Sequence, residues 1–380
     1  MIKTESFEVN VNPKVLEWAI KTSGWEKNEL VLALTISENT INGWLSGDIK
    51  PTIKQLELLS NKTKRPLAAF FLPEPPEESP LPKDYRMLPN KLDKFERKTL
   101  LAIRKARYLQ EIGSELSLNI NKKTDSEITP AKIEQNPEEI ALFYRKKFSL
   151  SIEKQTKEFT DAYKLYNYLR DIFEDYNIFS FQISMPLKDA RGFVLTDKRP
   201  MLIVVNSGDN IEPRIFTLLH EFGHVLLGES SISIPDFNTD NKVERWCNKF
   251  AAAFLMPSEL AKSIFSENKA VLTETKTLNY LSRKYKVSKA MLLYNMLELD
   301  FIKRLYYQEI LDRHPKIKKE VKKQSIGIPQ ERKCLSDLGN KFVSLVADNL
   351  EKNLITYSDA LTFLSIKSRN LDKVIRKAKK

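Results

Sequence analysis

The run Phe216-Thr-Leu-Leu-His220-Glu221-Phe222-Gly223-His224-Val-Leu-Leu227 sets two imidazoles four residues apart in an otherwise apolar segment. Four residues make little more than one α-helical turn, so both rings project from one helix face and can hold a single metal ion. Glu221 stands beside them, where it reaches a water on that ion. The β-branched run Pro200-Met-Leu-Ile-Val-Val-Asn206 just before it reads as a strand, which is the context this H-E-x-x-H spacing needs. With 3 His in the whole chain, chance yields the pattern roughly 0.002 times, so coincidence is a poor account of it. Gly223 inside the helix costs about 1 kcal/mol relative to Ala, which predicts the close approach of another backbone or of substrate.

Catalytic zinc takes three protein ligands and leaves a fourth position for water. The third histidine, His314, precedes Pro315 in a Lys-rich segment and suits a surface role, so the third ligand should be a carboxylate. Glu229, Asp236, Asp240, Glu244 and Glu259 are the downstream candidates. Glu244 stands out, because steps of three and four put it on one line with Cys247, Ala251 and Leu255, the buried side of the helix Asn241–Leu255. A carboxylate on such a line needs a compensating charge, which zinc would supply; a partly exposed Glu favoured by the helix dipole is the other reading. Asn248, one turn on, could orient Glu244 or bond between helices. Cys247, with apolar neighbours, reads as a packed small residue.

Zinc lowers the pKa of a bound water to about 7 and polarises a carbonyl. Glu221 would take the proton and later hand it to the leaving amine, which makes a peptide bond the natural target. No residue stands out as an oxyanion donor.

The Pro-rich, Gly-free segment Pro73–Pro82 cannot continue a helix and predicts a stiff linker. The chain thereby divides into short helices over 1–72, a linker over 73–90, a helical bridging region over 91–177, a mixed region over 178–301 and a basic helical region over 302–380. Three short strands are expected at 178–185, 191–195 and 200–206, with helices following from about Glu212.

Together, Arg214–His224, the strand Pro200–Asn206, the run Glu244-Arg-Trp-Cys-Asn-Lys-Phe-Ala-Ala-Ala-Phe-Leu-Met-Pro257 and Leu281-Ser-Arg-Lys-Tyr-Lys-Val-Ser-Lys-Ala290 resemble the ImmA/IrrE family of metallopeptidases. The resemblance covers roughly Phe179 to Tyr307. It implies an α+β zincin-like domain with a small sheet at 178–301, one zinc held by His220, His224 and Glu244, catalysis by Glu221, and a protein substrate that is typically a transcriptional repressor controlling a mobile element or a stress response. A different reading of the same segment is a DNA-binding regulator whose metallopeptidase-like domain senses a signal without cutting; an intact Glu221 speaks for the enzyme.

Leu32-Ala-Leu-Thr-Ile-Ser-Glu-Asn-Thr-Ile-Asn-Gly-Trp-Leu-Ser-Gly-Asp-Ile-Lys-Pro51 resembles the helix-turn-helix of the lambda-repressor/Xre type, an all-α domain. Ser37 would cap the reading helix, Ile41 and Trp44 would face the core, and Gly47 would end it. Glu38, Asn39, Thr40 and Asn42 would be the exposed reading positions, with Lys50 and Lys54 lining one side. The fold class is thus multidomain and mainly α, and the partners expected are a helix-turn-helix repressor as substrate and, at the first domain, DNA or a docked protein, a purely structural role for that domain being the other reading.

Charge distributes unevenly. Of the net +12, residues 1–72 hold 9 Lys+Arg against 8 Asp+Glu, a net of +1, while residues 303–380 hold 19 against 9, a net of +10. The excess points to Lys316, Lys318, Lys319, Lys322, Lys323 and the end Lys373–Lys380 as the place for an acidic partner, unless it is a solvated basic face. Two cysteines, Cys247 and Cys334, cannot build a disulfide framework. No apolar stretch suits a leader or a membrane span, so the expectation is a cytoplasmic protein.

Overall fold

The computed structural model describes residues 7–84, 95–121, 127–233, 239, 241–313 and 327–379. The chain clusters into two compact units, Met1–Leu81 with Asp93–Arg104, and Pro82–Leu92 with Lys105–Lys380.

In the first unit α1 (Pro13–Lys21), α2 (Lys27–Leu34), α3 (Glu38–Ser46) and α4 (Ile53–Thr63) are followed by a 3-10 turn, Leu67–Phe71. Leu16, Leu30, Ile41, Trp44, Leu56, Leu59 and Phe70 form its core. Thr52 and Gln55 cap α4 reciprocally, which satisfies two of the backbone groups a helix start leaves open. The Pro-rich segment belongs to this unit through Leu81: Asn12 Nδ2 donates to Pro73 O at 2.6 Å, Trp18 Nε1 to Glu78 Oε1 at 3.1 Å, and Arg65 pairs with Glu78. Residues of α5 (Arg97–Asn119) up to Arg104 belong here, and Arg97 lies 4.2 Å over the Trp25 ring.

In the second unit five strands form one mixed sheet in the order β1-β5-β3-β4-β2. They are β1 (Lys83–Asp84), β2 (Ile178–Ile183), β3 (Gly192–Leu195), β4 (Met201–Asn206) and β5 (Ser231–Ser233). β2 runs parallel to β4, β3 antiparallel to both β4 and β5, and β1 parallel to β5. The central strands carry apolar residues on both faces because both faces are covered. Ile178, Val194, Met201, Ile203 and Val205 join the main core with α7 (Ala162–Asp175) and α8 (Ile211–Leu227). On the opposite face Phe179 and Phe181 meet the Phe342 ring edge-on at 5.6 and 5.1 Å.

The second unit also holds α6 (Pro137–Lys147), α9 (Lys242–Leu255), α10 (Ser258–Glu267), α11 (Thr275–Tyr285), α12 (Lys289–Glu298) and α13 (Arg304–Arg313). Four more helices close it: α14 (Gln330–Leu338), α15 (Asn340–Glu351), α16 (Tyr357–Leu364) and α17 (Leu371–Ala378). Phe342 belongs to α15, so the basic carboxy-terminal region is the second cover of the sheet. Its lysines are partly matched by its own acids, Lys377 by Glu331 and Lys379 by Glu351; Lys316 to Lys323 and His314 lie outside the described residues. Among the described residues no helix is long and apolar enough to cross a membrane.

The carboxy-terminal helices are tied down by a buried pair on α7. Arg170 Nε lies 3.5 Å from Glu174 Oε1, and Arg170 Nη1 donates to Leu335 O and Ser336 O. Burial lifts the Glu174 carboxyl from its ordinary 4.5 to about 7, against the pull of the Arg170 charge. A carboxyl that holds its proton more tightly folded than unfolded stabilises the fold fully below pH 4.5, and that stabilisation is lost as pH rises through 7. A shift of this size corresponds to about 3 kcal/mol. Urea unfolding followed between these two pH values should show that decline in the wild type and lose it in Glu174→Gln; an unchanged slope in the variant would refute the assignment.

Candidate metal centre

Helix α8 is apolar around most of its circumference, with Ile215, Leu218, Leu219, Phe222 and Leu226 fully buried, and it stops at Gly228 in the left-handed region (φ 72). It lies between the sheet and α9. A Cβ on Gly223 would stand 3.1 Å from Cys247 Sγ and 3.3 Å from Cys247 Cα, so the glycine lets the two helices touch, as its position inside a helix predicts. Burial raises the Cys247 thiol well above its ordinary range, in keeping with a packed side chain and not a thiolate ligand.

Helix α9 begins at Asn241, whose side chain accepts from Val243 N and Glu244 N. Glu244 therefore sits in the first turn, where the helix dipole favours an anion. At the other end of α9, Arg145 donates to Phe254 O, and Gln155 donates to Leu255 O at 3.0 Å and to Tyr285 O, at the end of α11, at 2.8 Å, satisfying carbonyls that the two helix ends leave open.

Packing α9 on α8 brings three side chains together. His220 Nε2 and His224 Nε2 are 3.3 Å apart; Glu244 Oε2 is 3.3 Å from the first and Glu244 Oε1 3.1 Å from the second. Tetrahedral zinc with N and O bonds of about 2.0–2.1 Å requires ligand atoms about 3.3–3.4 Å apart, so this donor set fits zinc in both chemistry and spacing. The three form a His-His-Glu group able to hold a metal ion. Burial lowers the His224 pKa, and although burial also opposes Glu244, the charges and hydrogen bonds of His220 and His224 hold its carboxyl well below the usual range. A neutral imidazole and an ionised carboxylate are the forms that bind metal.

Glu221 is wholly buried beside this group. Its Oε2 accepts from Ser231 Oγ at 3.4 Å, while its Oε1 has no hydrogen-bond partner among the described residues. Burial, and then the Glu244 charge, push its carboxyl well above the usual range. Ser233 Oγ lies 3.4 Å from His224 Nε2 and 3.5 Å from Glu244 Oε1. Residues 173–297 match the family model Peptidase_M78, the IrrE N-terminal-like domain. The match runs from the end of α7 to α12, supports the ImmA/IrrE family for this segment and a metallopeptidase-type enzyme, and implies a metal. Comparison with curated proteins and with solved structures gave no match.

Of the other downstream carboxylates, Glu229 pairs with Lys83 at 2.6 Å and Glu259 is exposed beside Lys262; Asp236 and Asp240 lie outside the described residues. Asn248 is buried one turn beyond Glu244. Ser231 and Ser233 were not read from the sequence. Their signal is the alternation Ser231-Ile232-Ser233, which turns both hydroxyls to one face and Ile232 to the other.

In the first unit Ser37 accepts from Thr40 N, Ile41 and Trp44 are buried, and Gly47 ends α3 at φ 87. Glu38, Asn39, Asn42, Lys50 and Lys54 are exposed and Thr40 is half-buried. The Thr40 hydroxyl lies 2.8 Å from that of Ser37, and Lys27 donates to Asn42.

Proposed function

We propose that this protein is a zinc-dependent endopeptidase that cleaves a helix-turn-helix repressor or a related regulatory protein, and so controls a mobile element or a stress response. The convergence of His220, His224 and Glu244 within hydrogen-bond distance of one another, with Glu221 beside them, carries the reading. Zinc held there would lower the pKa of water and polarise the scissile carbonyl. The chain's own residues do the rest. Glu221, buried and with a carboxyl that binds protons tightly, accepts the proton of the attacking water and returns it to the leaving amine. Ser231 fixes the Glu221 carboxylate through Oε2, leaving Oε1 for proton transfer. Ser233 orients Glu244 and His224, and Asn248 supports the same helix face.

The first unit would direct the enzyme to operator DNA, or to a repressor bound there, through the exposed Glu38, Asn39 and Asn42 with Thr40, flanked by Lys50 and Lys54. A second reading, a regulator that senses a signal at the same centre without cutting, is favoured by the complete burial of His220, Glu221 and His224.

Incubation with helix-turn-helix repressors should yield fragments detectable by mass spectrometry. Chelator should abolish them and added zinc restore them. Purified wild-type protein should carry about one zinc per chain and His220→Ala almost none. Cleavage that persists in chelator, or full zinc retention by His220→Ala, would place the chemistry elsewhere.

A further inference from the structure

A cleft of about 550 Å³ opens in the second unit between the π-helical turn Lys154–Glu158 with its following residues and the outer side of α11. Lys157, Lys276, Arg283, Lys284 and Lys286 line it, and no acidic side chain does. Three of these cations come from α11, whose Leu278, Leu281 and Tyr285 face the core. Lys276 and Arg283 are seven residues apart, two helical turns or about 10 Å along the axis. Neither has an ion-pair partner among the described residues. Among the described residues Lys157 pairs with Glu153 alone, at 2.8 Å, both largely exposed, a pair of the kind that contributes little.

Two further features organise the cleft. Lys286, buried and in the left-handed region (φ 57), donates its ammonium to Thr156 O and Lys284 O at 3.0 Å each, fastening the turn to the end of α11. Tyr280 is 58% exposed, and the Lys284 ammonium lies 5.5 Å from its ring centre. A row of cations with an open aromatic ring is what a polynucleotide strand needs: charge for phosphates and a π-face for one unpaired base. An acidic peptide would use the charge and leave the ring idle. Reading a duplex would require a helix free to enter the groove, and neighbouring α12 buries Met291 through Met296.

We infer that this cleft binds single-stranded nucleic acid, its phosphates on Lys276, Arg283 and Lys157 and one base stacked on Tyr280. The carboxy-terminal lysines, to which net charge alone points, are partly matched by their own acids; the α11 cations are not.

Fluorescence anisotropy of the full chain with labelled oligothymidylate tests it, salt being varied between about 50 and 200 mM. Five cations set a log–log salt slope no steeper than about −3.5. Lys276→Glu with Arg283→Glu should weaken binding roughly tenfold or more and flatten the slope by about 1.4. Tyr280→Ala should weaken it about five- to one-hundredfold with the slope unchanged. All three positions are on the surface, and circular dichroism checks the fold of each variant. Binding unaffected by the double charge reversal, tighter binding of a duplex of the same length or of poly-glutamate, or no binding at low salt would each overturn the inference.

Discussion

Glu221→Gln should fold, keep its metal and lose the proposed peptide hydrolysis by about 10²- to 10⁴-fold, the contribution of a positioned general base. The substitution preserves shape, and an amide oxygen can still accept from Ser231, so neither the packing of α8 nor the His220–His224–Glu244 group is disturbed. Only the ability to take up and release a proton at Oε1 disappears. Burial and the nearby Glu244 already oppose a charge on Glu221, so the variant should be at least as stable as the wild type. Metal analysis and the rate of fragment formation, measured on one preparation, check both halves. A rate within a few-fold of wild type would remove Glu221 from the mechanism. Retained metal with no hydrolysis in the wild type itself, and regulation that survives the substitution, would favour the sensing regulator.

The centre was legible to very different degrees. His220 and His224 are little more than one helical turn apart, so their spacing alone fixes their common face, with Glu221 next to the first. Glu244 is more remote, yet a carboxylate on the buried line of an amphipathic helix is a local anomaly, and it does lie buried against both imidazoles. Ser231 and Ser233 escaped because a three-residue strand is too short for alternation to stand out from a loop. Arg170 and Glu174 look on paper like an ordinary exposed pair four residues apart; α14 and α15, more than a hundred and fifty residues downstream, are what bury them. The same holds for the α11 cations, which read as a solvated face until the turn at Lys154–Glu158 supplies the other wall. Local periodicity reveals which face of an element is apolar, but it does not say which distant element covers that face.

Gly339→Ala should destabilise the second unit by about 4–8 kcal/mol, the sum of roughly 1–3 for backbone strain and roughly 3–5 for a broken buried ion pair. Gly339 links α14 to α15 at φ 82 and ψ 158, a conformation essentially confined to glycine. An added Cβ would overlap Glu174 Oε1 and stand 2.9 Å from both Arg170 Nε and Nη2. Neither partner can yield easily, since Arg170 also donates to Leu335 O and Ser336 O and Glu174 Oε2 accepts from Lys341 N. Relief therefore requires α14 and α15 to lift from α7, which uncovers the sheet face where Phe179 and Phe181 meet Phe342. Hydrogen exchange should accelerate first in α14, α15 and β2, while α8, packed on the opposite face, and α9 behind it keep their protection and the metal centre its metal. A loss below about 1 kcal/mol, or exchange that accelerates first in α8 and α9, would mean that the carboxy-terminal helices do not hold the sheet in this way.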